Sequence, residues 1–470
     1  MNKTLVFDIE TDGLLVDASK VHCIWCHCLE TGETHDFKPG EIVAGLEFLK
    51  SATTLIGHNI IGFDIPCIKK LYPKWVPKAT AVVDTMVLAQ LLFPDIKNAD
   101  YVNIIKGKMP GRCSGSHSLE AWGYRIGEYK GEFGKTTDWK EWTPEMHKYC
   151  GQDVLVNSKL YTFLMSKNPS QESIDLEMAV AVILSRQVAF GVGFDMEAAQ
   201  RLHSELLGKL DTLGNSLSES FPGLWKPATK TFIPKRDNAK LGYIAGAECT
   251  KIEWVPFNPG SSEHVSYFLI RNCGWKPTEF TEKAKAPAWL AYYMQQAGID
   301  CARTPTVNDE ILAELTHPDA APLAEYMLIQ KRLSQLADGK SAWLKMVNPQ
   351  TFRIHGSVMS CGAVTRRMRH FGPNLAQVPN CSAPYGPECR TLFTVYGNHL
   401  MVGCDASGLE LRCLAHFMAP YDGGEYVDVV LFGNSAEGTD VHSRNAKALG
   451  ISRNLAKRFI YAFNNRGFTQ

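Results

Sequence analysis

No run of eighteen or more apolar residues occurs in the 470-residue sequence, so the usual signal for a membrane-spanning helix is missing. Residues 1–9 also contain no long apolar segment of the secretory type. Neither sign of charge is in excess, because 49 basic side chains balance 49 acidic ones, and the whole molecule therefore has no strong field that would draw it to membranes or polyanions. These absences predict a cytoplasmic protein with no membrane partner.

The 14 cysteines are scattered and show no disulfide framework. Cys23 and Cys26 form one Cys-x-x-Cys pair beside His22 and His27, but no second pair stands at the spacing of a structural zinc site. Because the segment alternates like a strand, we interpret these cysteines as small buried residues.

The composition is that of an ordinary globular protein, with 45% apolar and 21% charged residues, and the length corresponds to about three domains. Short β-like runs alternate with helical patterns over residues 1–165, which predicts an α/β domain. Helical periodicity dominates residues 166–350, with a possible N-cap at Asp195 and a loop-rich insertion at 222–262. Only the last part is basic, since residues 331–470 hold 16 basic and 9 acidic side chains.

Four carboxylates stand where secondary-structure elements end or begin. Asp8 and Glu10 lie two apart at the end of a β-like run, so both point to one face and can bind one hard cation. A second β-like run gives way to a loop and then to Asp64 in residues 57–64 (GHNIIGFD). Tyr149 and Asp153 are four apart and share one helix face.

Together these four acids supply the ligands that two-metal phosphodiester hydrolysis requires, with Tyr149 placed to orient the attacking water. Four acids held close together repel one another, so we expect a raised pKa for some members unless divalent cations are bound.

A basic cluster follows in residues 353–380. It contains polar and positively charged side chains suited to DNA phosphates and the minor-groove edge of a duplex: Arg366, Arg367, Arg369, His370, Asn374 and Gln377. Residues 400–412 (LMVGCDASGLELR) then predict an apolar strand that ends at Asp405. Further on, Arg453, Lys457 and Tyr461 are spaced by four, so they line a helix face suited to a triphosphate and a base.

The order of these segments resembles that of a known family. Asp8, Glu10, Asp64, Tyr149 and Asp153 resemble the exonuclease motifs of the DEDD proofreading group, in the subclass with a tyrosine four residues before the last aspartate. Residues 116–128 (SHSLEAWGYRIGE) are similar to the same region of T-seven-type bacteriophage DNA polymerases, and we assign them no catalytic role. Residues 400–412 resemble the first palm motif of family A DNA polymerases. The chain is identified as a member of family A, in the T-seven-type phage branch.

The resemblance implies an α/β, RNase H-like 3′-to-5′ exonuclease domain over residues 1–165, a mostly helical thumb over 166–350, and an incomplete palm and fingers of a right-hand polymerase over 351–470. It implies two Mg²⁺ or Mn²⁺ ions in the exonuclease site, DNA with a 3′ end and deoxynucleoside triphosphates as partners, and the host cytoplasm as location. Asp405 is then a catalytic metal ligand of the polymerase site. The implied nucleotide-binding residues are Glu410, His442, Arg453, Lys457 and Tyr461.

Two departures from the family pattern limit these expectations. The phage relatives carry a thumb insertion that binds thioredoxin, but residues 222–262 are shorter, so a thioredoxin-like processivity factor stays an open alternative. The segment 464–470 differs from the family, and no second palm motif follows in the printed sequence. We therefore expect this chain alone to excise nucleotides without extending primers, and a complementing C-terminal polymerase chain to be a partner. The alternatives are a non-catalytic DNA-binding product of an interrupted gene and a free-standing DEDD exonuclease.

Overall fold

The structure is a computed structural model, and it describes residues 3–129, 131, 133–135, 137–300, 302–308, 311–312, 315–318 and 320–465. Its chain divides into two compact units, Met1–Tyr396 and Gly397–Gln470. Among the described residues, no helix combines the length and the apolar character needed to cross a bilayer.

The first unit opens with an α/β domain. The strands among its described residues are β1 (Thr4–Thr11), β2 (Val21–Cys28), β3 (Thr34–Phe37), β4 (Thr54–Gly57) and β5 (Ala81–Asp84). Its helices are α1 (Ile42–Leu49), α2 (Asp64–Leu71), α3 (Thr85–Leu92), α4 (Ile96–Ile105), α5 (Leu119–Ile126) and α6 (Pro144–Met165), with 3₁₀ turns at Gly111–Cys113 and Phe133–Lys135.

The strands form one mixed sheet in the order β3-β2-β1-β4-β5. β1 pairs antiparallel with β2 and parallel with β4, so β1 is central. Alternate residues of β1 point to opposite faces, and Leu5, Phe7 and Ile9 enter the main apolar core. On the other face Val6 packs with Ile56 of β4 and Val154 of α6, so α6 covers the face that also carries Asp8 and Glu10.

The rest of the first unit is mainly helical. Its helices are α7 (Gln171–Phe190), α8 (Met196–Ser220), α9 (Ser262–Cys273), α10 (Ala288–Gln296), α11 (Ala320–Leu333), α12 (Trp343–Met346) and α13 (Gly386–Thr391), with a π turn at Ser334–Asp338 and a 3₁₀ turn at Leu375–Gln377. The short strands are β6 (Val192–Phe194), β7 (Gly223–Phe232), β8 (Cys249–Pro256), β9 (Phe280–Lys285), β10 (Arg303–Pro305), β11 (Val347–Asn348), β12 (Arg353–Ile354), β13 (Ser357–Met359), β14 (Arg369–Phe371) and β15 (Phe393–Thr394).

Two features of this region refine the sequence prediction. Asp195 is the N-cap of α8, where its side chain accepts a hydrogen bond of 2.9 Å from the Ala198 amide, as predicted. The segment 222–262, predicted to be loop-rich, instead contains the antiparallel ribbon of β7 and β8. Trp225 and Trp254 form an exposed cross-strand pair on this ribbon. The mixed composition of the segment did not predict its two strands.

In the described part of the second unit, residues 397–465, the helices are α14 (Leu409–Asp422), α15 (Glu425–Phe432), α16 (Val441–Leu449) and α17 (Arg453–Asn465). The predicted strand ending at Asp405 is wrong, because residues 401–406 have no regular secondary structure. Leu400 and Val402 are 88% and 87% exposed, and no described strand pairs with them. An apolar run becomes a strand only when a neighbouring strand pairs with its backbone N–H and C=O groups, and the run itself does not specify that neighbour.

Candidate active site

Asp8 and Glu10 lie within ligand distance of each other at the carboxyl end of β1, and Asp64 contacts the backbone between them. Asp8 is half-buried and Glu10 is buried, and both project from the face of β1 that α6 covers. Asp64 begins α2 and is fully buried, and its Oδ1 accepts a hydrogen bond of 3.3 Å from the amide of Ile9, which lies between Asp8 and Glu10. The loop between β4 and α2 therefore places Asp64 against the strand end that carries the other two acids.

The helix α6 contributes the remaining predicted residues. Asp153 is buried on α6, three residues after Cys150, whose Sγ lies 3.8 Å from Oδ2 of Asp8. Residues three apart on a helix are neighbours on its surface, so Asp153 lies on the side of α6 that meets β1. Close packing fixes the helix there, because a Cβ on Gly151 would stand 2.9 Å from the Trp25 ring.

Tyr149 lies four residues before Asp153 on the same helix, as predicted. Its ring centroid is 5.6 Å from that of Phe133 and 6.3 Å from that of Trp139. Its hydroxyl lies 3.2 Å from the position that a Cβ on Gly134 would take. The aromatic contacts hold the half-buried phenol in place, one helical turn before Asp153.

The acidic cluster contains a carboxyl group with a raised pKa, but the cause of the rise differs from the one predicted from the sequence. Burial raises the pKa of Asp64 to about 7, and the charge of Asp84 adds to the rise. A raised pKa within the four-acid set was expected from repulsion among its members, but its main cause is loss of solvent. The carboxylate whose charge adds to the rise, Asp84, lies outside that set.

Asp84 is a residue that the sequence reasoning missed. It ends β5 and is buried, and its carboxylate accepts hydrogen bonds from the amides of Asn59 (2.9 Å), Ile61 (3.1 Å) and Met86 (3.0 Å). It thereby fixes the loop that leads to Asp64. The sequence signal was an acidic residue at the end of an apolar run, and two of its three partners are 23 and 25 residues away.

The predicted DNA-binding residues occupy a hairpin and the turn after it. Arg369 and His370 lie on β14, which pairs antiparallel with β13, and Arg366 and Arg367 lie in the connecting turn. The three arginines are exposed. The side chain of Asn374 accepts a hydrogen bond from the Ala376 amide (3.2 Å) and caps the following 3₁₀ turn.

The last member of this set is the exposed Gln377, and its backbone is held in place. Its carbonyl accepts a hydrogen bond of 3.2 Å from the Gln335 side chain. The hairpin and the turn therefore present positive and polar side chains on an ordered backbone.

In the second unit, α16 and α17 bring most of the predicted nucleotide-binding residues together. His442 is buried at the start of α16, and its ring centroid is 6.0 Å from that of Tyr461 on α17. Burial lowers the pKa of His442, and the charges of Arg453 and Lys457 lower it further.

Arg453 already has a carboxylate partner in this unit. Its Nη2 donates a hydrogen bond of 2.9 Å to Oδ1 of Asp440, a residue that the sequence reasoning did not select. The Asp440 side chain also accepts a hydrogen bond from the His442 amide and so caps α16.

Two further predicted residues lie elsewhere in this unit. Asp405 is exposed in the irregular segment, and Glu410 lies in the first turn of α14. Residues 466–470 of the segment 464–470 lie outside the described residues, so its interpretation stays a prediction.

Comparisons with known proteins agree with the sequence resemblance. The family model described as DNA polymerase family A matches residues 248–466. A DNA-directed DNA polymerase of Enterobacteria phage T3 is 33% identical over 98% of this chain and 75% of its own length, and one of Escherichia phage T7 is 32% identical over the same shares. Among solved structures, the POL domain of Pol1 from M. smegmatis, in complex with DNA primer-template and dNTP, matches with a TM-score of 0.58 at 15% identity, covering 97% of this chain and 67% of that one. At that identity the structural match shows a similar fold.

Proposed function

The chain belongs to DNA polymerase family A and is a phage-type DNA-directed DNA polymerase, and from this we propose that its N-terminal α/β domain is a 3′-to-5′ exonuclease acting on DNA. The observation that carries the proposal is that Asp8 and Glu10 lie together at the end of β1, with Asp64 bonded to the backbone between them and Asp153 on the helix that covers this face. These acids come from three separate segments of the sequence, β1, the start of α2 and α6, and a set of acids that is simply solvated has no reason to converge in this way.

The donor set fits hard divalent cations, because its ligating atoms are carboxylate oxygens. We propose that Asp8, Glu10, Asp64 and Asp153 hold two Mg²⁺ or Mn²⁺ ions. Such ions, when bound, activate water and stabilise charge on the attacking and leaving oxygens. The chain itself supplies the four carboxylates, and the buried hydrogen bond from Ile9 keeps Asp64 in place.

The proposed excision is tested with a 3′-labelled DNA oligonucleotide and the matching RNA. We expect release of the labelled nucleotide from DNA when Mg²⁺ or Mn²⁺ is present, with loss of activity on chelation. Equal rates on RNA would instead favour a general trimming nuclease. No release from either polymer would contradict the proposal.

We propose that Tyr149 orients the attacking water through its hydroxyl. Tyr149→Phe removes that hydroxyl and keeps the ring packed against Phe133 and Trp139. We expect excision to slow by about 10²-fold, which is typical for the loss of one positioned group that assists proton transfer. Single-turnover excision measures this loss. Tyr161→Phe, a half-buried tyrosine on the same helix, is the matched control and should leave the rate close to that of the unmodified chain. An unchanged rate in Tyr149→Phe would contradict the role.

For DNA binding, we propose that Arg366, Arg367, Arg369, His370, Asn374 and Gln377 contact the primer-template. Arg366→Ala should weaken binding to all sequences about equally and reduce the slope of log affinity against log salt by about 1, as expected for loss of one phosphate contact. Fluorescence anisotropy in a salt series, without divalent cations, measures the slope. Lys38→Ala, an exposed lysine of the α/β domain, is the control. Equal slopes for the two variants would contradict a phosphate contact at Arg366.

For the incoming deoxynucleoside triphosphate, we propose binding by Glu410, His442, Arg453, Lys457 and Tyr461, with Asp405 as a metal ligand. Asp440 is a positioning residue in this proposal, because it holds the Arg453 guanidinium at the junction of α16 and α17. Binding of a thioredoxin-like factor and of a complementing chain both stay predictions.

The Asp440 contact predicts a pH dependence of the second unit. Burial alone would raise the pKa of Asp440, but hydrogen bonds from Arg453, Ser443 and the His442 amide outweigh burial and hold it at about 2. Because the folded-state pKa lies below the unfolded value, the stabilisation is present above about pH 4 and is lost as the pH falls toward 2.

Hydrogen exchange, corrected for the intrinsic pH dependence of the exchange rate, measures this loss. Amides at the starts of α16 and α17 should become less protected over that pH range. Asp440→Asn should remove most of the change. Glu425→Gln, which breaks the exposed contact of Glu425 with Arg444, should retain it. A pH dependence that persists in Asp440→Asn would contradict the assignment.

A further inference from the structure

Cys150 lies inside the proposed metal site of the α/β domain. One ligand atom from each of Asp8, Glu10 and Cys150 lies within 4.8 Å of the other two. Cys150 Sγ is 3.8 Å from Oδ2 of Asp8 and 3.6 Å from the Asp8 carbonyl oxygen. Ligands of a four-coordinate ion with one sulfur and several oxygens are about 3.3–3.8 Å apart, so small side-chain shifts bring all three onto one ion.

The surroundings of Cys150 differ from those of the structural cysteines in this domain. Cys26 and Cys67 pack in the main apolar core. Cys150 faces the carbonyl and carboxylate of Asp8, and its thiol also contacts the thiol of Cys23, which lies opposite Glu10 on β2. A buried cysteine used only for packing has no need of this polar environment.

A mixed sulfur and oxygen donor set selects different cations from an all-carboxylate site. Thiolate is a soft ligand and favours Zn²⁺, Cd²⁺ and Co²⁺, whereas Mg²⁺ prefers oxygen ligands. We propose that Cys150 is a direct ligand, together with Asp8 and Glu10, of a thiophilic divalent ion such as Zn²⁺ or Cd²⁺. On binding, the thiol releases its proton to solvent and a metal–sulfur bond forms, with no change of oxidation state.

This inference rests on the proposed exonuclease site, because it uses two of the same carboxylates. It adds that the site discriminates among cations through sulfur. Mg²⁺ binds through the carboxylates and leaves Cys150 as a thiol, while a thiophilic ion engages both donor types and competes with Mg²⁺ for the oxygens.

The test is Co²⁺ and Cd²⁺ binding to the full chain under a non-chelating reductant. Co²⁺ should produce a thiolate-to-metal charge-transfer absorption in the near ultraviolet, and calorimetry should give the Cd²⁺ affinity. Cys150→Ser should abolish the absorption and weaken Cd²⁺ binding by at least roughly 10-fold, since loss of even an outer-shell partner costs about 10–100-fold. Mg²⁺ affinity should be unchanged.

The matched control is Cys28→Ser, a buried cysteine on β2 whose thiol faces the Glu30 carboxylate. It should keep the absorption and the Cd²⁺ affinity. Cys150→Ala provides a second variant if serine disturbs folding, which circular dichroism checks. Absorption that survives in both Cys150 variants, or that disappears only in Cys23→Ser, would overturn the proposal.

Failure of this inference and failure of the proposed exonuclease are distinguishable. If the chain excises DNA with Mg²⁺ but shows no charge-transfer absorption with Co²⁺, the sulfur ligand is contradicted and the exonuclease is supported. If the absorption depends on Cys150 but the chain cleaves no nucleic acid with any of these ions, the sulfur ligand is supported and the exonuclease is contradicted.

Discussion

Replacing Asp8 by alanine is expected to lower the rate of 3′-end excision by more than about 10³-fold, above the 10²–10³-fold typical for loss of one transition-state donor. The reason is that Asp8 stands in the proposal as a ligand of the ion that activates water, so its loss removes both nucleophile and charge stabilisation. Asp8 is half-buried and on the surface of the sheet that α6 covers, so alanine can be accommodated without breaking the main apolar core.

The measurement is single-turnover excision together with DNA affinity in the absence of divalent ions. Affinity should change little, because the proposed duplex contacts lie on Arg366–Gln377 and not on β1. Asp17→Ala, an exposed acid on the loop after β1, controls for removal of one negative charge. If Asp8→Ala keeps more than about a tenth of the original excision rate, the loss is far smaller than expected for a metal ligand. That result would show that the hydrolytic site is elsewhere.

Replacing Asp84 by alanine is expected to destabilise the α/β domain strongly. Asp84 is 1% exposed and accepts three backbone hydrogen bonds, from Asn59, Ile61 and Met86. Each buried amide left without a partner costs about 1–3 kcal/mol, so the loss should be at least about 3 kcal/mol. Excision should fall as well, because the freed loop leads directly to Asp64.

Comparing Asp84→Asn with Asp84→Ala shows how the loss of stability depends on the number of backbone hydrogen bonds that are lost. Asp84→Asn keeps one oxygen, which can still accept from Asn59 and Met86, so only the Ile61 contact is lost and the cost should fall to about 1–3 kcal/mol. Urea unfolding of both variants measures the series. Asp95→Ala is the control: the exposed Asp95 side chain accepts hydrogen bonds from Asn98, and its loss should change stability by less than about 0.5 kcal/mol. An Asp84→Ala chain as stable as the unmodified one would contradict the loop-holding role.

The α/β domain was predictable because its signals are local. The alternation along β1 places Leu5, Phe7 and Ile9 on one face and Asp8 and Glu10 on the other, and that pattern can be read without a structure. The four-residue spacing of Tyr149 and Asp153 likewise defines one side of a helix. Both patterns can be recognised in the sequence without knowledge of a distant partner.

The elements that were missed depend on residues far away in the chain. Asp84 resembles any acid at a strand end until its contacts with Asn59 and Ile61 are known. Cys150 resembles a packing residue until the fold places its sulfur beside Asp8. The run 400–405 has strand-like composition, yet composition does not provide the neighbouring strand that would complete its hydrogen bonds. The domain boundaries at 165 and 350 stay predictions.

The most direct test of the central claim is a crystal structure of the chain soaked with Mn²⁺ and measured at the manganese absorption edge. The account predicts anomalous density between the carboxylates of Asp8, Glu10, Asp64 and Asp153, with metal–oxygen distances of about 2.0–2.3 Å. Absence of density there, in crystals where Mn²⁺ binds elsewhere and the four side chains are ordered, would contradict it.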